Sequence, residues 1–393
     1  MPSPRRTGRL RRLVLAAGVI VGCLVVLAVY FAAAPARPAP VLSNYERSTG
    51  ATIRRDCGYS SPLPGRPGWS IWLFCDTAVI SAHGRRIEQL ILGTGTAAAG
   101  PYQAGRVPAW LSEVPTPPTR PAGPGSAAPQ PFLPAPRGLQ LPGSIWPCTG
   151  PGAYPAAWIS GVTRAPPAAA DTLLITYDDY CVTGAGATAE GFGLAEYAPA
   201  GNLLGPVTTV FSTGLGLPLL KQQVLGSPVL GPDGYLYLFG FCRAAPPPTG
   251  CGRGQVFLAR TVATPASWGN PFSYDYWTGG GWSPQAAAAT SLIPAGQPLG
   301  ISVGDFTADG HGLVMIEQTS LAGDFRAWQA RSPAGPWRRI LTGRVPCTPG
   351  TEPGLEGLCR ALIGHPELST PSRLLISYYD PGNDHVDVAA YPW

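Results

Sequence analysis

The 393-residue chain carries 51 Gly and 47 Pro, yet 45% of it is hydrophobic and it has eleven Trp, a composition that excludes general disorder and favours a folded core with many turns. The formal charge of +5 is matched by Arg5, Arg6, Arg9, Arg11 and Arg12, ahead of any acidic residue. The remainder is neutral, so it lacks the electrostatic footprint of a nucleic-acid-binding surface.

Residues 1–12 read as a basic cytoplasmic tail. The uncharged apolar run 13–34, long enough for a bilayer core of about 30 Å, reads as a single transmembrane anchor. Two alternatives compete: signal-peptide cleavage near Ala32 to Ala36, giving a secreted protein, and lipidation of Cys23 in the stretch Ile20-Val21-Gly22-Cys23. Residues 35–49 are a Pro-rich tether, and 50–393 form an extracytoplasmic domain.

The first hairpin, RRDCGYSSPLPGRPGWSIWLFCDTAVI, mirrors itself about a turn at Gly65 to Gly68. A symmetric register sets Asp56 opposite Asp76 and Cys57 opposite Cys75, with Cβ atoms roughly 4.5–5.5 Å apart. The cysteines then close a disulfide, and the two carboxylates share the other face, where they repel and so point to a site. The three prolines Pro62, Pro64 and Pro67 leave open a bulge that parts the carboxylates, in which case they are solvated strand-end residues.

Pro115 to Pro142 has no apolar periodicity and reads as a surface loop inserted at about 115–142. Beyond Cys23 the eight cysteines, in an exported chain, imply disulfides; proximity pairs Cys57 with Cys75, Cys148 with Cys181, Cys242 with Cys251, and Cys347 with Cys359.

A strand-like run recurs as WSIWLFCD, TLLITYDD, YLYLFGFC, LVMIEQTS and LLISYYDP. Each follows a turn or shorter strand, and most precede another strand such as FGLAEYA, VFLARTV, RAWQARS or VDVAAYP. Five such units predict an all-β fold, a five-bladed β-propeller, with a two-sheet sandwich as the alternative.

The segments RDCGYS and LFCDT, the unit VFLARTVATPASWGNPFSYDYW followed by SVGDFTADGHGLVMI, and HPELSTPSRLLISYY resemble a bacterial family of glycosidase-like five-bladed β-propellers, a former domain of unknown function that includes endo-acting D-arabinan hydrolases. The similarity covers most of residues 50–393. It implies a catalytic pair, one aspartate on the first strand and one in a Gly-Asp-Thr motif on the second, falling on Asp56 and Asp76. This chain departs in having Cys75 where the family has Gly, and Cys57 after the first aspartate.

Such a pair fits glycoside hydrolysis, one carboxyl protonating the leaving oxygen and the other attacking or activating water. The cross-strand spacing favours retention, with Asp76 assigned as nucleophile and Asp56 as acid/base. His365 and Glu367, two apart, share a face if the strand is extended, and with Tyr59 are candidates for binding sugar hydroxyls; the structural reading is a strand-end Glu and a hydrogen-bonded His. Asp178 and Asp179 read as turn residues, with Asp179 the candidate sugar contact if one of them faces the axis. Trp72, Trp158, Tyr274, Tyr276, Trp277 and Trp282 offer sugar-stacking faces, although aromatics in β-proteins mostly serve the core. Asp305 to Gly310 resembles a calcium loop, but Ile316 stands where the liganding glutamate belongs, so a plain turn is expected.

No metal site or cofactor is expected: there is no CxxC, the four histidines are scattered, and phosphate loops, a Ser nucleophile elbow and dinucleotide motifs are missing from the sequence. The expected partners are a polysaccharide or oligosaccharide and the cytoplasmic membrane through residues 13–34. The alternative to a hydrolase is a non-catalytic propeller that binds glycan or protein.

Overall fold

A computed structural model describes residues 52–81, 87–115, 128–134, 148, 150–166, 171–184, 186–212, 223–242, 255–294, 298–348, 350, 357–382 and 385–393. The basic tail, the apolar run 13–34, Cys23, the tether 35–49 and most of the Pro-rich insertion lie outside the described residues. Among the described residues, no helix is long and apolar enough to cross a membrane.

Five antiparallel sheets form in chain order. The first contains β1 (Thr52–Pro62), β2 (Trp69–Ile80), β3 (Ile87–Ile91), β4 (Thr96–Pro101) and β5 (Ser112–Glu113). The second contains β6 (Tyr154–Arg164), β7 (Leu173–Thr183), β8 (Gly186–Ala198) and β9 (Leu203–Ser212). The third contains β10 (Gln223–Leu230), β11 (Tyr235–Cys242), β12 (Val256–Val262), β13 (Asp275–Trp277) and β14 (Trp282–Ser283). The fourth contains β15 (Gly300–Phe306), β16 (Gly312–Gln318), β17 (Asp324–Ala330) and β18 (Arg338–Arg344), and the fifth β19 (Arg360–Gly364), β20 (Arg373–Asp380) and β21 (His385–Pro392).

The first strand of each sheet packs against the first strand of the next, β1 on β6, β6 on β10, β10 on β15 and β15 on β19, and β19 returns to β1. A closed ring of five sheets is a five-bladed β-propeller. The five recurring runs seen in the sequence are the second strands of the five blades. These strands are covered on both faces by neighbouring blades, which is why they read as continuous apolar runs instead of alternating ones. The first strands crowd one another at the centre. A Cβ on Gly161 would lie 2.3 Å from Pro228, and one on Gly226 would lie 2.6 Å from the Ser160 carbonyl, so blades two and three meet where no side chain fits.

The core is divided among the blade interfaces. Ile71, Leu73, Ala157, Ile175 and Tyr177 fill the space between blades one and two. Leu225, Leu238, Phe211 and Phe257 join blades two and three, and Phe239, Leu258, Met315 and Trp328 join blades three and four. Trp72, Phe74, Leu375 and Val388 join blades one and five, closing the circle.

Disulfides form between Cys57 and Cys75, Cys148 and Cys181, and Cys347 and Cys359, with Cα separations of 5.4, 5.3 and 6.1 Å. Cys242 is also disulfide-bonded, while Cys251 lies outside the described residues.

The Pro-rich segment is not wholly a surface loop. Phe132 and Leu133 are 1% and 2% exposed within the core of blades one and two, where Phe132 meets Tyr197 edge-on at 5.0 Å. Their amides donate to the carbonyls of Gly95 and Thr94, so the segment is pinned at this point. Phe132→Ala is therefore expected to lower stability by about 3–5 kcal/mol in chemical denaturation. A change below about 0.5 kcal/mol would mark the segment as a passive loop.

Candidate functional site

The β1–β2 register obeys the mirror symmetry at both ends, from Thr52 opposite Ile80 to Arg55 opposite Thr77, and again from Tyr59 opposite Leu73 to Pro62 opposite Ser70. Between these stretches Cys57 pairs with Phe74. One bulge therefore sets Asp56 against the two residues Cys75 and Asp76, and a second inserts Gly58. Asp56 and Asp76 are thus not a directly opposed ladder pair, a correction to the symmetric register, and neither are the cysteines that still bond. Cys57 and Gly58 have φ of 70° and 104°, and at Gly58 a Cβ would lie 2.7 Å from Val386. A non-glycine residue held at such a φ stores strain of about 1–3 kcal/mol, and the disulfide to Cys75 keeps it in place.

The carboxylates nevertheless feel each other. Asp56 accepts from the Cys57 amide at 2.6 Å and, through its other oxygen, from Nε of Arg360 at 2.8 Å. Arg360 opens β19 and lies over the Tyr379 ring at 3.9 Å. Burial works against its charge, and the Asp56 carboxylate outweighs that, holding the guanidinium above its ordinary value. Asp76 Oδ1 accepts from the Gly93 amide at 2.9 Å and from Nε1 of Trp158 at 3.2 Å, and Oδ2 accepts from the Tyr154 hydroxyl at 2.8 Å. Burial, joined by the charge of Asp56, raises the Asp76 pKa against these three donors.

Tyr59 follows the bulge. Burial first, and then Asp178, Tyr180 and Asp56, push its pKa up, so the phenol stays neutral among these groups. Trp158 packs on Tyr180 with ring centroids 4.8 Å apart. Asp56, Asp76, Tyr59, Tyr154, Trp158, Asp178, Tyr180 and Arg360 thereby form one connected cluster spanning blades one, two and five.

The other candidates separate from it. Asp178 and Asp179 are not turn residues: both lie within β7, each 2% exposed. Asp178 turns toward the cluster, whereas Asp179 faces Tyr177 and Thr209, whose hydroxyl reaches it at 3.4 Å. The Oδ1 of Asp179 has no hydrogen-bond partner among the described residues. His365 and Glu367 lie in the turn after β19, not on an extended strand. They still converge, because Ser60 Oγ lies 2.6 Å from His365 Nδ1 and donates to Glu367. Ser60 lies four residues beyond Asp56 on β1, past the bulges, so this group is separate from the aspartates. Burial lowers the His365 pKa to about 3 and raises that of Glu367 to about 6. His365, stacked on Trp72 at 4.9 Å, is fully buried.

Trp72, Tyr274 and Tyr276 are core residues, each at most 1% exposed. Trp277 and Trp282 belong to the outer hairpin of blade three, with Arg260 over Trp282 at 4.0 Å. Asp305 accepts from the Thr307 amide at 2.9 Å in a turn, as expected. Sequence reasoning missed Arg360, Tyr154, Ser60 and Gly93, residues whose roles arise only from contacts between blades or across a loop.

No family model matches the chain, and no curated protein matches it. Solved structures do. A hydrolase candidate from Bacteroides ovatus is similar in fold, at 15% identity over 90% of this chain and 93% of that one, with a TM-score of 0.55. A family 117 glycoside hydrolase from the marine bacterium Zobellia galactanivorans matches at 9% identity over 90% of this chain and 89% of that one, with a TM-score of 0.46, too distant to carry an argument. The fold shared with the Bacteroides ovatus structure is the five-bladed propeller.

Two outcomes follow. A Cβ on Gly93, which has φ of 72°, would lie 2.3 Å from the Pro155 carbonyl, so Gly93→Ala displaces the amide that holds Asp76 and lowers the unfolding free energy by about 1–3 kcal/mol. An unchanged denaturation midpoint would contradict this. The second concerns Asp179, whose pKa burial raises from 3.8 to about 7. The folded state holds the proton more tightly than the unfolded state, so this stability is fully present below about pH 4 and is lost as pH rises toward 7. Asp179→Asn is expected to leave stability near pH 4 unchanged and to raise it at pH 8 by roughly 4 kcal/mol at most. Equal effects at both pH values would contradict the assignment.

Proposed function

We propose that the chain is a glycoside hydrolase that cleaves a polysaccharide through Asp56 and Asp76. The observation that carries this reading is the unequal environment of two neighbouring carboxyl groups. Asp56 is fixed by a guanidinium, and Asp76 is buried beside it with a raised pKa. Environments that push two carboxyls apart supply an anion and an acid at one pH. Asp56, paired with Arg360, is the nucleophile or base, and Asp76, buried with a raised pKa, is the acid, the reverse of the assignment expected from sequence.

Retention, with Asp56 forming the glycosyl–enzyme bond, is the outcome proposed, and the anomeric configuration of the first product tests it. The resemblance of the first hairpin to the arabinan-cleaving propellers makes a furanoside polymer of the cell envelope the first substrate to try. Tyr59 and Trp158, both only partly buried beside the pair, are the residues proposed to contact its sugar rings. The apolar run 13–34 behind five arginines would hold the domain on the outer face of the cytoplasmic membrane.

The test is release of reducing ends from envelope polysaccharides, arabinan among them, by the oxidised full-length protein in detergent. Asp56→Asn and Asp76→Asn are each expected to reduce release by about 100-fold or more at a temperature where each variant is still folded, as judged by its own cooperative melting transition. Activity unchanged in both variants would remove the pair from catalysis. Saturable glycan binding without product would favour a binding propeller.

A further inference from the structure

The two oxygens of Asp76 have chemically different partners. Oδ1 receives the Gly93 amide at 2.9 Å and the Trp158 indole N–H at 3.2 Å, and neither of these groups can accept a proton in return. Oδ2 faces a single hydroxyl, that of Tyr154 at 2.8 Å, which can donate or accept. A proton on Oδ1 would point at two N–H donors, whereas a proton on Oδ2 only asks the Tyr154 hydroxyl to rotate. Tyr154 is the first residue of β6 and is only partly buried, so it borders both Asp76 and solvent.

We propose that Asp76 carries its proton on Oδ2 and that Tyr154 is the positioning residue that shares it, donating to the carboxylate and accepting from the acid. This deepens the proposed hydrolysis and rests on it. In the first step the Oδ2 proton passes to the glycosidic oxygen, the C–O bond pair goes to that oxygen, the alcohol leaves, and an Asp56 oxygen bonds to the anomeric carbon. Tyr154 then turns its O–H into the new Asp76 carboxylate. In the second step a water gives one proton back to Oδ2 while its hydroxyl bonds to the anomeric carbon, the pair of the Asp56–carbon bond returns to Asp56, and Tyr154 turns back to accept. The groups facing Asp76 are Asp56 from β1, Tyr154 and Trp158 from β6, and the Gly93 amide; Arg360 of β19 acts on it through Asp56. Asp56 is the charged neighbour that changes its proton affinity, and it is untouched by a change at Tyr154.

The experiment compares the full-length protein with Tyr154→Phe by carbon-13 NMR of the Asp76 carboxyl, assigned with Asp76→Asn, and by the pH dependence of kcat. Losing a donor to the anion raises the Asp76 titration point by roughly half a unit or more, moves the basic limb of kcat the same way, and lowers kcat about tenfold with little change in KM. In the unaltered protein the Tyr154 Cζ resonance is expected to move with the same midpoint as Asp76, a reading that needs no variant to fold. An unshifted Asp76 titration in Tyr154→Phe, or a Tyr154 resonance indifferent to it, would overturn the proposal. Coupled titration in a protein that releases no product from any polysaccharide would uphold the proton sharing and remove the hydrolytic reading.

Discussion

The ring must close, and it closes where β19 meets β1. The same seam carries the ion pair of Asp56 with Arg360 and, further along, the contact of Ser60 with His365 and Glu367. The two contacts advance together along both strands, so β1 and β19 run in the same direction. The loop after β4 adds a latch, with the Gly105 amide donating to the Leu368 carbonyl at 2.6 Å. A partly buried arginine without Asp56 would be an uncompensated charge at the centre of the fold, so one interaction serves both closure and charge placement.

That placement gives the site its asymmetry. Arg360 pairs with Asp56, whereas Asp76 is buried, and burial together with the nearby Asp56 raises the Asp76 pKa. The bulged segment between them is held by the Cys57–Cys75 disulfide, and the positive φ at Cys57 is the local departure from regular strand geometry that this requires. Glycine in place of Cys75, as in the family the hairpin resembles, would leave the same bend without a covalent clamp.

Much of the fold was legible because blade interfaces bury second strands on both faces, producing runs such as YLYLFGFC that stand out against a Gly- and Pro-rich background. The first hairpin was legible for another reason: its register returns to mirror symmetry on both sides of the bulges. The prolines left a bulge open, but its place at Cys57 and Gly58 carried no distinctive local signal beyond the glycine. Arg360 lies 304 residues from Asp56, and no spacing rule reaches that far. Asp178 and Asp179 looked like turn chemistry because Asp favours turns in isolation, and blade packing overrode that preference. Phe132 and Leu133 were hidden by the prolines around them, two apolar residues being too few to show a period.

The most direct test of this account is a double-mutant cycle on unfolding free energy with Asp56→Asn, Arg360→Gln and the double variant. A pair that closes the ring predicts a coupling of about 1–3 kcal/mol, with the double variant less damaged than the sum of the single changes. Additivity within about 0.5 kcal/mol would contradict it, leaving the seam to packing alone and the proposed roles of the two aspartates without support from this pair.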